Sequence, residues 1–212
     1  SNNVKLSGAD SFYFARMKVE MLKSFEANER YQVLDIGCGD GATELFMTEL
    51  FPRWKISAID ISEKSIEVAK KRNLPVLFST FNGIQTSFPD QQFDIIFIAG
   101  VLHHVDFALH PNLINEIARL LKKGGRLYLF EHNPLNPVTK HLVNTCVFDK
   151  DAKLLNGKYT AKLLKAAGFT IDKKHFIIFF PRKGIFSKLI FLERFFTWLP
   201  LGGQYMIRAI RN

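Results

Sequence analysis

The stretch Tyr31-Gln-Val-Leu-Asp-Ile-Gly-Cys-Gly-Asp-Gly41 reads as a buried strand running into a loop with glycines at 37, 39 and 41. Glycines at alternate positions allow a tight turn and let a ligand come close to the backbone. A dinucleotide site uses G-x-G-x-x-G to seat a pyrophosphate on a helix N-terminus. Here the third glycine comes one residue early, and two carboxylates, Asp35 and Asp40, flank or interrupt the loop. Negative charge at this place repels a pyrophosphate. It suits a ligand carrying an ammonium and a sulfonium.

Outward from this strand, short apolar runs alternate with helical patterns. Residues 43–51 read as a helix ended by Pro52, 55–60 as a strand, and 62–72 as a helix with Ser62 as N-cap. Residues 75–79 and 93–99 read as strands; the second is continuously apolar, as expected where both sheet faces are covered. A helix over 113–121 precedes Gly124-Gly125, and 126–131 is a fifth strand. This alternation predicts an α/β fold with a parallel, doubly wound sheet in three layers. An amphipathic helix over 10–26 packs on it. After it the pattern changes. Residues 133–159, with Pro134 and Pro137, read as a loop-rich insertion or lid, 160–167 as a helix closed by Gly168, and 171–180 and 204–210 as late strands.

The 212 residues, 47% hydrophobic, suit one domain with a sizeable core. No run of eighteen apolar residues is present and Ser1-Asn-Asn has no basic-then-apolar leader, so the expectation is a cytoplasmic protein with a trimmed N-terminus. Cys38 and Cys146 lie in different contexts, which argues against a disulfide framework, and neither has the spacing of a metal site. The net charge of +9 is unevenly placed: residues 1–110 carry 11 basic and 14 acidic side chains, residues 111–212 carry 18 and 6. The positive excess of the second half points equally to an anionic partner or to a solvated basic surface.

In an open parallel sheet, ligands bind beyond the carboxyl ends of the strands. The second strand ends in Asp60, about 20 residues after the glycine loop, where a carboxylate can accept from ribose hydroxyls. The runs 33–41 (Val-Leu-Asp-Ile-Gly-Cys-Gly-Asp-Gly), 58–62 (Ala-Ile-Asp-Ile-Ser), 93–97 (Phe-Asp-Ile-Ile-Phe), 100–105 (Gly-Val-Leu-His-His-Val) and 121–127 (Leu-Lys-Lys-Gly-Gly-Arg-Leu) resemble, in order, the motifs of the class I S-adenosylmethionine-dependent methyltransferases. The resemblance covers residues 31–132. It implies a Rossmann-like seven-stranded sheet ending in an antiparallel hairpin, with S-adenosyl-L-methionine as methyl donor and S-adenosyl-L-homocysteine as product. It divides the single domain, 1–212, into the helix 10–26, a donor-binding core 31–132 and a loop-rich and helical substrate region 133–200.

By the same resemblance, Gly37, Cys38, Gly39 and Gly41 pass their backbone against the donor, and Asp35 holds the loop and meets the ammonium. Asp60 binds ribose and Ile61 packs on the adenine. Asn82 stands where the family often has an Asp that accepts from the adenine amine. Ala99 and Gly100 line the methyl end. Phe12-Tyr-Phe-Ala-Arg16 resembles an aromatic-rich helix with a basic residue, which makes Arg16 a partner for the donor carboxylate or simply a residue of the wet face.

His103 and His104 follow the fourth strand, where an acceptor should lie, and a histidine titrates near neutrality. They are candidate bases, with loop packing as the alternative. Glu131 and His132, at the end of strand five, are rival candidates, and Asp106 can hold either histidine in one tautomer. Methyl transfer chiefly needs alignment of donor and acceptor; a sugar hydroxyl needs a base more than an amine does. The place after strand four lacks the Asn/Asp-Pro-Pro-aromatic run of nucleobase amine methyltransferases, and no dense Lys/Arg run interleaves with aromatics, so nucleic acid is disfavoured. Residues 185–199 read most simply as a core helix; a pocket cover, a dimer contact and a peripheral membrane surface are the other placements. The expectation is a methyltransferase acting on a small-molecule or lipid-linked, anionic acceptor at oxygen. The alternatives are nitrogen or carbon as the methylated atom, a SAM-binding protein without catalysis, and, disfavoured by the loop, an NAD-dependent oxidoreductase.

Overall fold

A computed structural model describes residues 11–145, 152–180 and 185–212. Helix α1 (Ser11–Lys23) leads into β1 (Gln32–Ile36), α2 (Ala42–Leu50), β2 (Lys55–Asp60), α3 (Glu63–Lys70), β3 (Val76–Thr80) and β4 (Phe93–Ala99). Two 3-10 turns (Leu102–His104 and Phe107–Leu109), α4 (His110–Leu120), β5 (Leu121–His132), α5 (Pro137–Thr145), α6 (Gly157–Ala166), β6 (Phe169–Ile177), a 3-10 stretch (Ile185–Phe195) and β7 (Gln204–Arg211) follow. The described residues form one seven-stranded sheet in the order β3-β2-β1-β4-β5-β7-β6. β1 to β5 pair in parallel, and β7 lies antiparallel between β5 and β6. This is the Rossmann-like α/β sheet with the late antiparallel pair.

Strand order reverses between β1 and β4, so the loops after these two strands diverge and leave a crevice at the carboxyl edge. Both faces of the central strands are covered. Leu34, Ile36, Ile96 and Ile98 pack with α4, while Val33, Ile95 and Phe97 pack with α1 residues Val19 and Leu22. Every one of these side chains is buried, which is why β1 and β4 read as continuous apolar runs.

Several boundaries depart from the sequence reading. β5 begins at Leu121 rather than 126, because the ladder to β4 shifts register between Phe93 and Ile95 and takes in the glycine pair. α4 starts three residues early, with Pro111 in its first turn, where a missing N–H costs nothing. The expected loop 133–159 contains α5: the Asn136 side chain accepts from Thr139 N at 2.9 Å and Pro137 opens the helix. α6 likewise starts at Gly157, capped by Asn156. Residues 185–199 are not a core helix. Glu193 Oε1 accepts from Phe179 N and Phe180 N at 3.0 Å each, pinning one side of the segment, while Phe191, Phe195 and Trp198 are exposed. Cys146 lies outside the described residues.

Candidate active site

The glycine loop is strapped to the neighbouring strand. Gly37 N and Cys38 N both donate to Ile59 O, at 2.7 and 3.1 Å. Gly37 has φ +80°, and a Cβ there would sit 2.2 Å from Val101 Cγ2, so the loops after β1 and β4 touch at a point that admits only glycine. Asp60 accepts from Gly39 N at 2.9 Å through Oδ2 and from Ser62 N at 2.8 Å through Oδ1. It thereby joins the loop to the start of α3, and each oxygen keeps a second acceptor site for a hydroxyl. Exposed Ile61 follows it and touches the turn at Gly83, whose Cβ would lie 3.3 Å from Ile61 Cγ2. Asn82 turns its carbonyl oxygen inward to Ile84 N and Gln85 N, at 2.9 and 2.8 Å. Both lone pairs of that oxygen are thus engaged by its own turn, which leaves the side-chain N–H groups to face a ligand.

Below the loop lies an acidic cluster that the sequence reading took only in part. Asp35 and Glu44 are buried, and neither Glu44 oxygen has a donor among the described residues. Burial pushes the Asp35 carboxyl well up, with the charge of Glu44 adding to it, and burial pushes Glu44 up to about 7. The two face one another, so a shared proton is what satisfies them when no cation is present. Half-buried Lys18, on α1, reaches toward Glu131 and Asp35; burial lowers its ammonium to about 8 against the pull of those carboxylates. Asp40 is turned outward to Arg72, which donates to its carbonyl and its carboxylate at 2.6 Å each. The acidity of the site therefore comes from Asp35, Glu44 and Asp60. Arg16 pairs with Glu20 at 2.8 Å and approaches Glu49 at 3.9 Å on the outer side of α1. Lys18 and Glu44 were legible in principle: Phe14, Lys18 and Leu22 recur every four residues, and Glu44 precedes buried Met47 by three.

Cys38 is buried, and burial together with the charges of Asp35, Glu44 and Asp60 drives its thiol far above the ordinary range. A thiol so held is no nucleophile.

At the ends of β4 and β5, Ala99 and Gly100 lead into the first 3-10 turn. Glu131 organises it: Oε1 accepts from Val101 N and Leu102 N at 3.1 and 2.8 Å, and Oε2 meets His103 Nδ1 at 2.6 Å. Both side chains are about 2% exposed. Burial raises the Glu131 carboxyl, but the hydrogen bond and charge of His103, helped by His132, outweigh it and hold the group below its usual value. An ionised Glu131 only accepts, so the imidazole nitrogen that meets it, His103 Nδ1, carries the proton. The rings of His104 and His132 lie 4.1 and 5.2 Å from that of His103, so the four candidates form one cluster. Asp106 holds neither histidine by a described bond; it caps the second 3-10 turn by accepting from Ala108 N at 2.9 Å. His110, not singled out by sequence, fixes the segment from behind through Leu102 O and Tyr159 OH, both at 2.9 Å.

A buried carboxyl pair beside a glycine loop, one member of it with no donor among the described residues, is matched by an ammonium and a sulfonium, and an acidic strand end by a ribose. The residues present thus fit S-adenosylmethionine. A Rossmann-like sheet with this site defines the class of nucleoside-cofactor transferases. Comparison with known proteins narrows it: the family described as "Methyltransferase domain" matches residues 33–125. An uncharacterised protein of Methanocaldococcus jannaschii is 28% identical over 94% of this chain and 83% of its own length. The uncharacterised methyltransferase YcgJ of Bacillus subtilis is 33% identical over 58% of this chain, which spans only 50% of that relative. A SAM-dependent methyltransferase structure from Archaeoglobus fulgidus superposes with a TM-score of 0.73 at 19% identity, covering 95% of each chain. In this domain match and in its fold the chain is similar to the S-adenosylmethionine-dependent methyltransferases, and it spans about half the length of the named methyltransferase relatives it matches.

Proposed function

We propose that the protein methylates a hydroxyl oxygen of a small-molecule or lipid-linked acceptor. The observation that supports this reading is the buried His103–Glu131 pair at 2.6 Å. A dyad with a fixed tautomer is what an unactivated hydroxyl requires and what an amine does not. The bound donor supplies a methyl group on a sulfonium. His103 Nε2 would take the hydroxyl proton as the acceptor oxygen receives the methyl group, the donor leaving as its thioether. Glu131 keeps the imidazole oriented and stabilises the imidazolium. Lys18 and the Asp35–Glu44 pair hold the charged amino-acid end of the donor, Asp60 its ribose, and Ile61 its adenine. Arg16 acts on the surface of α1. His104 and His132 complete the acceptor wall.

Relatives named for oxygen chemistry support the choice. The malonyl-[acyl-carrier protein] O-methyltransferase 1 of Ilyobacter polytropus is 28% identical over 48% of this chain. A phosphoethanolamine N-methyltransferase of Arabidopsis thaliana, 26% identical over 71%, shows that the same fold is named for nitrogen chemistry too. The discriminating test is labelled-methyl transfer with His103→Ala and Glu131→Gln. Oxygen transfer lowers kcat by about 10²–10⁴ in His103→Ala with the dissociation constant for donor unchanged. A kcat within threefold of the parent enzyme reassigns the acceptor atom to nitrogen. Stabilisation by NAD but not by S-adenosylmethionine in a thermal shift removes the donor assignment altogether.

A further inference from the structure

Six large apolar side chains stand exposed on two hydrogen-bonded segments beside the end of β5. Leu135 lies on the turn into α5 and Val138 in its first turn, and Phe191, Phe195, Trp198 and Leu201 lie on the segment that returns to β7; each is more than half exposed. The segments are locked together. Asn136 Nδ2 donates to Leu201 O at 2.6 Å, and Asn133 Nδ2 to Pro200 O and Gly202 O at 3.1 and 2.8 Å. Glu193 and Phe196 face inward, the former on Phe179 N and Phe180 N, the latter ring 6.0 Å from Phe179, so the intervening Arg194 and Phe195 face out. The Trp198 indole N–H is already bonded to Phe195 O at 3.0 Å, so its ring can leave water without stranding a donor.

Scattered single exposures are ordinary; a cluster of six on a rigid pair of segments is not. The charge around it says what covers it. Lys188 and Arg194 are exposed within the cluster, Lys140 is exposed on α5, and the half of the chain that contains it carries 18 basic and 6 acidic residues. A second copy seated face to face would bring these cations together. An anionic bilayer would neutralise them while its headgroup region accepts Trp and Phe rings. The cluster also follows directly on His132, so the covered surface adjoins the wall of the proposed acceptor site.

We infer that this aromatic and basic ridge docks on a bilayer containing anionic lipid, so that the acceptor is drawn from the membrane interface. The inference rests on the lipid-linked form of the proposed acceptor, and it can fail separately from the donor assignment. The test is co-sedimentation of the full chain with phosphatidylcholine vesicles, with and without phosphatidylglycerol, at low and high salt. The parallel variants are Phe195→Ser/Trp198→Ser and Lys188→Glu/Arg194→Glu. The expected result is salt-sensitive binding to the anionic vesicles only, weakened on the order of tenfold or more by either pair, with thermal stabilisation by S-adenosylmethionine unchanged. No binding by the parent chain overturns the inference, as does binding that both pairs leave intact. A concentration-dependent dimer that Phe195→Ser/Trp198→Ser dissociates also overturns it, because the ridge then belongs to a second copy. Loss of donor stabilisation in the parent chain counts against the enzyme reading alone.

Discussion

At Gly37 two constraints coincide: φ is +80° and the place of a Cβ is 2.2 Å from Val101 Cγ2. Gly37→Ala must both hold an L-residue in the left-handed region and displace the loop that carries His103. The expected cost is about 2–4 kcal/mol of unfolding free energy in urea, with donor affinity falling more than tenfold because the loop moves off Asp60. Full affinity in a stable variant would show that the contact of the two loops does not shape the site. Glu44 gives the second expectation at this scale. Its carboxyl is raised by burial from 4.5 to about 7, so the folded state binds more protons than the unfolded one across that interval. Stability from this group is complete below about pH 4.5 and is lost as pH rises through about 7. Glu44→Gln removes that dependence. It should match the parent near pH 4.5 and exceed it by about 1–3 kcal/mol at pH 8. A cationic donor favours the ionised pair, so the parent's affinity for it rises from pH 6 to 8 and the variant's stays flat. Asp35, Asp60, Lys18 and Arg72 also face this cluster, so calorimetry in two buffers of different ionisation enthalpy is the check: the parent releases a proton on binding at pH 6.5, and the variant does not.

Among the elements, α1 shows how a site residue depends on a distant anchor. Glu26, just after α1, accepts from Arg126 Nε and Nη2 at 3.0 and 2.6 Å and from Tyr128 OH at 2.5 Å, with Arg208 at 3.5 Å. This buried carboxylate ties the helix to β5 and β7, and Lys18 rides on the same helix. Glu26→Ala leaves two guanidinium groups with one fewer anion and should cost about 3 kcal/mol. It should also weaken donor binding severalfold without touching the donor. Recovery of part of the stability, though not of the affinity, in Glu26→Ala/Arg126→Ala would separate the two effects. The elements differ in how far sequence discloses them. β4 is legible at its observed bounds because burial on both faces writes a nearly continuous apolar run, and β1 and β2 because short apolar stretches lead into the glycine loop and Asp60. The glycine loop and Asp60 were legible because turn geometry is local. α5 was missed because Pro137 was read as a breaker, although an Asn immediately before a Pro is also an N-cap signature. The helical spacing puts Lys18 and Glu44 on buried faces, but what a charged residue does there depends on neighbours that only the fold brings together. The 185–199 segment has enough apolar residues for a core helix. The core holds Phe176, Tyr205 and Ile207 without it, and of its rings Phe191, Phe195 and Trp198 remain outside while Phe196 turns in to Phe179.

On the scale of the whole molecule, the two halves of the sequence carry opposite net charge. Residues 1–110, which supply the donor loop, carry a net −3, and residues 111–212, which supply the far wall and the ridge, a net +12. On the proposed reading this asymmetry favours a cationic donor at the loop of the first half and an anionic acceptor at the surface of the second. Fields of this kind act mainly on encounter, and salt screens them over about 10 Å at 0.1 M and about 3 Å at 1 M. On the proposed reading the donor's charged end meets the buried Asp35 and Glu44, where screening is weak. On the proposed reading the acceptor arrives at the exposed basic ridge, where salt screens fully. Raising the ionic strength from about 0.05 to 0.5 M should therefore lower kcat/KM for the acceptor roughly 3–10-fold with kcat unchanged, while KM for the donor moves less than twofold. Lys140→Glu, which reverses a charge near the ridge without entering the site, should reproduce part of the loss at low salt and abolish its salt dependence in the same proportion. An acceptor whose kcat/KM is indifferent to both salt and Lys140→Glu is uncharged at the encounter, and the basic half then serves the membrane or solubility rather than the choice of substrate.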